Sequence, residues 1–407
     1  LFELDLTETT VESLPRVKPS DVFHKITLPK ALKEIQASAL SSTLLDAITF
    51  PSTLTTIGSN AFDGTRIKEA ILPASVSSVG TYAFANNQSL LKVVWPAKVT
   101  TIPNGCFSRD NSISTFDLPE GITTIGHSAF YENYACNYQL PSTIKSIGYH
   151  AFYYANAIET VVIPDNVGIY PYAFSSCGRL KSVKIGEGAT FLTYYSSGTQ
   201  YGYYFYHCTA LEEIEFPTSF YDIGTNESYL LYNCTALKKV TFKSPTLIGG
   251  SYYNSFFSNT SGTSIQVYVP SYLVNAYKLD PYWYNYNIMG FSTADVTDWK
   301  IRKPLTFYSQ DRFEGTPNVN IYTGGAWTVN GTLAQNVNDL HTNYSSQSSS
   351  GDLSAAAQII SNCNSMSIKG KYWHSYYAYN NISGSPYKGR WHFICLPFDI
   401  KVSEITC

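Results

Sequence analysis

Charge is scarce in this 407-residue chain: Asp, Glu, Lys and Arg together make up 14% of it, against about 25% in an ordinary soluble domain. The two signs nearly cancel, with 27 basic and 30 acidic residues and a net charge of −3, so no basic excess exists to hold a phosphate backbone and no nucleic-acid partner is expected. Long apolar runs are also missing. None approaches the ~18 residues that cross a bilayer, so no membrane span is expected in this chain. Position 1 is Leu, with no charged stretch and apolar core behind it, and a secretion signal is expected either upstream or already removed. Cysteine, at 8 residues, is too sparse for a disulfide scaffold. Missing too are Gly-x-Ser-x-Gly, His-Glu-x-x-His, a phosphate loop and a dinucleotide fingerprint, which removes the common catalytic motifs. What fills the space is neutral polar and aromatic: the 34 Tyr alone outnumber Lys and Arg together, a balance that suits β-structure and wet recognition surfaces.

One phrase recurs along two thirds of the chain. An apolar residue precedes Pro at Leu28-Pro29, Phe50-Pro51, Leu72-Pro73, Trp95-Pro96, Leu118-Pro119, Leu140-Pro141 and Ile163-Pro164, in steps of 22 or 23 residues. Between these pairs stand Ile57-Gly58-Ser59-Asn60-Ala61-Phe62, Val79-Gly80-Thr81-Tyr82-Ala83-Phe84, Ile125-Gly126-His127-Ser128-Ala129-Phe130 and Ile147-Gly148-Tyr149-His150-Ala151-Phe152. The register continues through Gly186, Pro217, Lys243 and Pro270 with steps lengthened to as many as 31 residues, so the later turns carry insertions. Alternating apolar residues before each Pro, as in Ile158/Val161/Ile163, read as a short strand that the donor-less Pro ends. Gly after Ile then allows a tight turn, and Ala and Phe fit a narrow interior. A coil this short cannot bury its apolar stripe alone, so the coils must stack into a solenoid around a column of Ile, Leu, Val and Phe. Eleven coils at ~4.8 Å would make a rod of about 50 Å.

The Leu-x-x-Val-x-Ile-Pro-x-x-Val-x-x-Ile-Gly-x-x-Ala-Phe phrase resembles the BspA-like leucine-rich repeat family over about residues 1–290. The resemblance implies a right-handed solenoid of short parallel strands on a bacterial surface, of the Bacteroidetes type, serving adhesion or recognition without catalysis. Phe2-Glu3-Leu4-Asp5-Leu6 resembles the strand of one more coil, entered partway. Val269-Pro270-Ser271-Tyr272, with Tyr277-Lys278 and Trp283, resembles the family's closing segment, a helical cap over 272–279 for which Ser271 would be the N-cap.

From about Asp295 the repeat gives way to Ser, Asn, Gly and Tyr with short alternating segments. Residues 295–407 therefore read as a smaller, β-sandwich-like domain that could be incomplete at Cys407, with a hairpin turn at Thr323-Gly324-Gly325-Ala326 and an exposed loop from His341 to Gly351.

Candidate sites divide into chemical and contact readings. Cys177, Cys208 and Cys234 occupy one column, one coil apart, where buried thiols outweigh a collinear metal ladder or a disulfide; Cys363 and Cys395 are the plausible bridged pair. Glu212, Glu213 and Glu215 invite a reading as paired catalytic carboxylates, but the register sets Glu159, Lys181, Glu212 and Lys238 opposite one another on consecutive coils, and likewise Glu213 with Lys239 and Asp46 with Lys68, which reads as a solvated ion-pair ladder. His127 and His150 lie on neighbouring coils out of register, with no third ligand, so neither a metal nor a cofactor is expected. The enlarged coil between Gly186 and Pro217 is rich in aromatics: Tyr194, Tyr195, Tyr201, Tyr203, Tyr204 and Tyr206 form a candidate ligand-binding patch, while Phe205 could take the core place of the repeat Phe. Ile71 and Val94, in the outward row two residues before Pro, are a second candidate interface.

These readings converge on a non-enzymatic protein, secreted, on the cell surface or periplasmic, whose solenoid binds a host or bacterial surface protein or a glycan. Two other readings stand beside it: a structural spacer that displays another domain, and a carbohydrate-active enzyme with a site in the C-terminal domain, using Asp399 and His392.

Overall fold

The computed structural model describes residues 2–294 except 18–22, 193, 197–198, 221–228, 246, 249–255, 259, 261–263 and 281, and beyond 294 the strands Asp298–Ile301, Thr306–Phe307, Asn318–Ile321, Thr328–Val329 and Ser365–Ile368. It is mainly β, a parallel-strand solenoid of about 12 turns with very little helix. Two compact units are distinguished, one of Leu1–Glu215, Ile223–Lys239 and Tyr253–Gly262, the other of Phe216–Asp222, Val240–Tyr252 and Thr263–Cys407.

In the first unit the coils build two sets of parallel ladders. The strand before Pro pairs in register with its neighbour, as Glu69–Ile71 does with Lys92–Val94 and Thr160–Ile163 with Ser182–Ile185. The Thr-Ile pair that follows builds a second ladder through Thr101–Ile102, Thr124–Ile125, Ser146–Ile147 and Gly168–Ile169. Phe2–Asp5 pairs with Phe23–Thr27, so the expected first strand is present.

Seven successive coils each send one Phe inward, and Leu40 and Leu231 hold the same place in the coils on either side. Phe62, Phe84, Phe107, Phe130, Phe152, Phe174 and Phe205 are buried and stack face to face with centroids 5.1 to 5.7 Å apart and planes within 12°. Phe205 thus holds the repeat place despite the insertion before it. The glycine after Ile is required less for turning than for approach: a Cβ on Gly58 would lie 2.4 Å from the Ala37 nitrogen, and one on Gly148 2.6 Å from that of His127. The left-handed backbone falls elsewhere, two residues to either side of the core Phe, at Asn60, Tyr82, His150 and Tyr172 on one side and Asn86, Arg109, Tyr154 and Ser176 on the other. Non-glycine residues resist this conformation. Here the backbone amide of each donates to a carbonyl of the next coil, as Asn60 to Thr81 at 2.9 Å and Tyr154 to Ser175 at 3.1 Å, and this holds the conformation coil after coil.

Three residues after the core Phe lies a buried column of short polar side chains. Asn133 Nδ2 donates to the Phe107 carbonyl at 3.0 Å, and the thiols of Cys177, Cys208 and Cys234 donate to Phe152, Phe174 and Phe205 carbonyls at 3.2, 3.1 and 3.3 Å. Each satisfies a carbonyl of the preceding coil, the role that the Asn-or-Cys place of a leucine-rich repeat fills. All three thiols are free and buried, and burial raises those of Cys177 and Cys234 far above the ordinary range. Cys106, in the Ala place, is buried in the same way.

In the second unit Gln266–Pro270 pairs in parallel with Asn287–Phe291, and the connection contains the helix Val274–Leu279. The helix lies within the expected 272–279, but Ser271 does not cap it: its hydroxyl donates to the Phe291 carbonyl at 2.8 Å, because a further strand returns alongside. Trp283 Nε1 donates to the Ile248 carbonyl at 2.7 Å and the Ile248 amide donates to the Tyr277 hydroxyl at 3.1 Å. Past residue 294 the described strands pair in parallel: Asp298–Ile301 with Asn318–Ile321, this with Ser365–Ile368, and Thr306–Phe307 with Thr328–Val329. The strands flanking 323–326 therefore sit in different sheets and do not form the expected hairpin. Register offsets of 20 and 22 residues match a coil rather than a tight turn. Cys363, Cys395, His392 and Asp399 lie outside the described residues.

Candidate functional site

The turn that buries the Phe exposes other aromatics. Two residues before it, with left-handed backbone at 150 and 172, stand His150, Tyr172, Tyr203 and Tyr229 on four successive coils. Tyr172 stacks on Tyr203 at 5.0 Å, Tyr203 on Tyr229 at 4.8 Å, and His150 lies 4.9 Å from Tyr172. One residue after the Phe a second column carries Tyr131 stacked on Tyr153, and Tyr206 stacked on Tyr232, each pair at 5.4 Å. Edge contacts join the columns, Tyr203 to Tyr206 at 5.0 Å and His150 to Tyr153 at 4.8 Å. The rings of these two columns are half-exposed, and His127, Tyr154 and His207 at the margin are exposed. Arg109 sits 5.9 Å over Tyr131 and pairs with Glu132 at 3.3 Å. Apart from that pair the face is almost uncharged. Burial, with Glu132 adding to it, raises the phenol of Tyr131, and burial raises that of Tyr153, so both stay protonated at neutral pH. His150 is pushed down to about 4 by burial, helped by His127, and so stands in the face as a neutral ring.

Of the sequence candidates, Tyr203 and Tyr206 join this face. Tyr204 does not: it is fully buried, its hydroxyl donates to the Leu192 carbonyl at 2.7 Å, and its ring packs on Phe191, because its place in the turn points inward next to Phe205. Tyr194 and Tyr201 are opposite one another in an antiparallel ribbon of Tyr194–Ser196 and Thr199–Tyr201, which also holds Tyr195; their side chains lie outside the described residues. Ile71 and Val94 are exposed and paired in register, but on the strand before Pro, not on the aromatic turn. Sequence reasoning within one coil misses Tyr131, Tyr153, Tyr172, Tyr229, Tyr232 and His150. Aligning successive coils on Ala-Phe puts them in two columns.

Chemistry of the catalytic kind finds no support in the carboxylates. Glu159 is held between Lys181 at 3.1 Å and Arg179 at 2.6 Å, Glu212 binds Lys238 at 3.1 Å and Glu213 binds Lys239 at 3.6 Å, the ladder expected from the register. The hydrogen bond and charge of Lys181, then the charge of Arg179, lower the Glu159 carboxyl. Asp46 departs from it: its partner is His24, Nδ1 to Oδ2 at 2.6 Å. Among the described residues no three His, Cys, Asp or Glu converge as a metal site, and no helix is long and apolar enough to cross a membrane.

Fold and site together define a leucine-rich solenoid that presents a polar-tipped aromatic face. The family model for the BspA type leucine-rich repeat region matches in six copies over residues 20–137, 102–197 and 199–278, and the chain belongs to that family. Among solved structures it is similar to a leucine-rich repeat protein from Bacteroides ovatus, with 19% identity and a TM-score of 0.51 over 74% of this chain and 79% of that one. It is also similar to a leucine-rich cell surface protein from Faecalibacterium prausnitzii, with 21% identity, a TM-score of 0.34, and 68% and 90% of the two chains covered. No curated protein matches it.

Proposed function

We propose that this is a non-enzymatic recognition protein of the bacterial surface or its surroundings, whose solenoid, within residues 1–290, binds a protein partner through the aromatic turn face. Residues 295–407 are on this reading a separate appended region. The observation that carries the proposal is the pair of Tyr columns crossing successive coils of a family built for binding. Tyrosine supplies large contact area with two side-chain torsions and a polar tip, and is enriched where proteins bind one another. A protein partner fits better than a glycan. Rings stacked on one another hide their faces and offer edges and hydroxyls, whereas a pyranose needs an open ring face.

The test is a binding screen of the full chain against arrayed secreted and cell-surface proteins, beside a variant with Tyr153, Tyr172 and Tyr203 all changed to Ser. A partner held by the native chain and weakened about tenfold or more in the variant is expected. Equal binding of every target by both proteins would remove the face from the proposal.

A further inference from the structure

The outer columns are also the oxidisable face of the solenoid. Oxidation follows exposure, and among the described side chains the thiols of Cys106, Cys136, Cys177, Cys208 and Cys234 are all buried, as are Trp95 and Trp283. Met289, beyond the helix, is the exposed thioether. The phenols of the two columns, by contrast, are half-exposed. The coil spacing also sets them in pairs. Tyr203 lies face to face with Tyr229 at 4.8 Å, planes 20° apart, and with Tyr172 at 5.0 Å and 28°. Tyr206 and Tyr232 are 5.4 Å apart at 15°, and Tyr131 and Tyr153 5.4 Å apart at 5°. Each pair joins like positions on adjacent coils, so the ladder step of ~4.8 Å fixes the separation. Two reactants held in this way meet far more often than two chains in solution do. Exposure alone does not give that arrangement: Tyr284 is 59% exposed and stands in neither column.

We infer that Tyr203 and Tyr229 are a site of oxidative coupling, at which a peroxide-driven one-electron oxidant joins the two rings as dityrosine and staples one coil to the next. Tyr203 is the central rung, stacked on both sides, and Tyr229 is the nearer of its two neighbours. Each phenol gives up one electron and its hydroxyl proton and becomes a phenoxyl radical. The two radicals pair at the ring carbons beside the oxygens, forming one carbon–carbon bond. The hydrogens on those carbons then move to the oxygens and restore both hydroxyls. One hydrogen peroxide takes up the two electrons and two protons and leaves as two waters. The rings close from stacking distance by turning about their own side-chain torsions, for which half-exposed residues have room. The inference does not depend on what the aromatic face binds.

The test treats the full chain, at low concentration, with a haem peroxidase and hydrogen peroxide. Coupling is followed by dityrosine fluorescence, by denaturing gel, and by mass spectrometry after cleavage at glutamate. Glu212, Glu213, Glu215 and Glu227 part Tyr203 from Tyr229, so their bond is read as two joined peptides lighter by two hydrogens in all. A chain that still runs as a monomer, carries this joined pair and has a higher denaturation midpoint than untreated protein is expected. Tyr203→Phe keeps the ring and the stack but removes the phenol. It is expected to abolish the joined pair and to lower the fluorescence about twofold or more, whereas Tyr284→Phe is expected to change neither. Coupling that falls mainly on Tyr284 or between chains, or a fluorescence yield in Tyr203→Phe equal to that of the native chain, would overturn the site. The binding screen uses untreated protein, so failure of the coupling site and failure of the contact face are read separately.

Discussion

Two stacks of aromatic rings run through the same turns one residue apart, and they differ in what surrounds them. The Phe column is buried, its planes within 12° of parallel from Phe62 to Phe205. The Tyr column beside it follows the same coil spacing, yet it is half-exposed and is interrupted at Ser175. An inner column cannot skip a rung, because an unfilled place in a close-packed interior is a cavity. An outer column can: at Ser175 a short side chain, itself buried, takes the place of the ring. The difference separates what the repeat needs in order to stack from what it is free to vary for contact.

Breaking each column at one coil sharpens the contrast. Phe130→Ala leaves a void between Phe107 and Phe152 and is expected to cost about 3 to 5 kcal/mol, whereas Tyr153→Ala in the next coil is expected to cost ~1 kcal/mol or less. Urea denaturation followed by circular dichroism measures both. Equal losses would mean that the outer column is structural.

The buried polar column provides the next test. Asp110 stands where Asn133 and the thiols donate to carbonyls; its Oδ1 accepts the Asn87 amide at 2.6 Å, and its Oδ2 is buried without a hydrogen-bond partner. Burial is the main cause of a carboxyl raised well above its ordinary 3.8, with the charge of Asp63 adding to it. The folded chain therefore holds a proton that the unfolded chain loses near pH 4. Stability from this group is full below that pH and declines as pH rises through the raised folded value. Asp110→Asn is expected to gain about 1 to 3 kcal/mol at pH 7 and to remove that decline. Denaturation midpoints at pH 4 and pH 7 for both proteins measure it, and an unchanged pH dependence would mean that Asp110 is ionised in the fold.

The strand ladders, the Phe spine and the charge ladder were legible in the sequence because each follows from spacing alone: a 22- or 23-residue step fixes which residues lie side by side. The functional face was less legible because its signal runs between coils. Tyr203 and Tyr206 stand out as a local cluster, but Tyr204 in the same run is core, and only alignment on Ala-Phe separates the three. The left-handed positions were hidden for a different reason. Glycine, which usually marks them, fills two of these places, Gly64 and Gly105, but in this repeat it sits mainly where a neighbouring backbone is too close for a Cβ, while mostly Asn, Ser, Tyr and His carry the positive φ. Asp46 went to His24 rather than Lys68 because register fixes which coils are neighbours, not which of two neighbouring coils a side chain leans toward.

The smallest expected effect lies in the outer face itself. His150 is pushed down to about 4 by burial among Tyr149, Tyr153 and Tyr172, with His127 adding to it. Its folded value lies below the unfolded ~6.5, so the unfolded chain takes up a proton first. The contribution is complete above about pH 6.5 and is lost as pH falls toward 4. His150→Phe keeps a ring in the column and cannot charge, so the variant is expected to lose less stability than the native chain between pH 7 and pH 4.5. Because Asp110 acts in the opposite direction over the same range, the comparison is made in the Asp110→Asn background. If the two midpoints fall in parallel there, the imidazole has room to take its proton without leaving the stack, and the face is more open to water at that coil than its ring contacts imply.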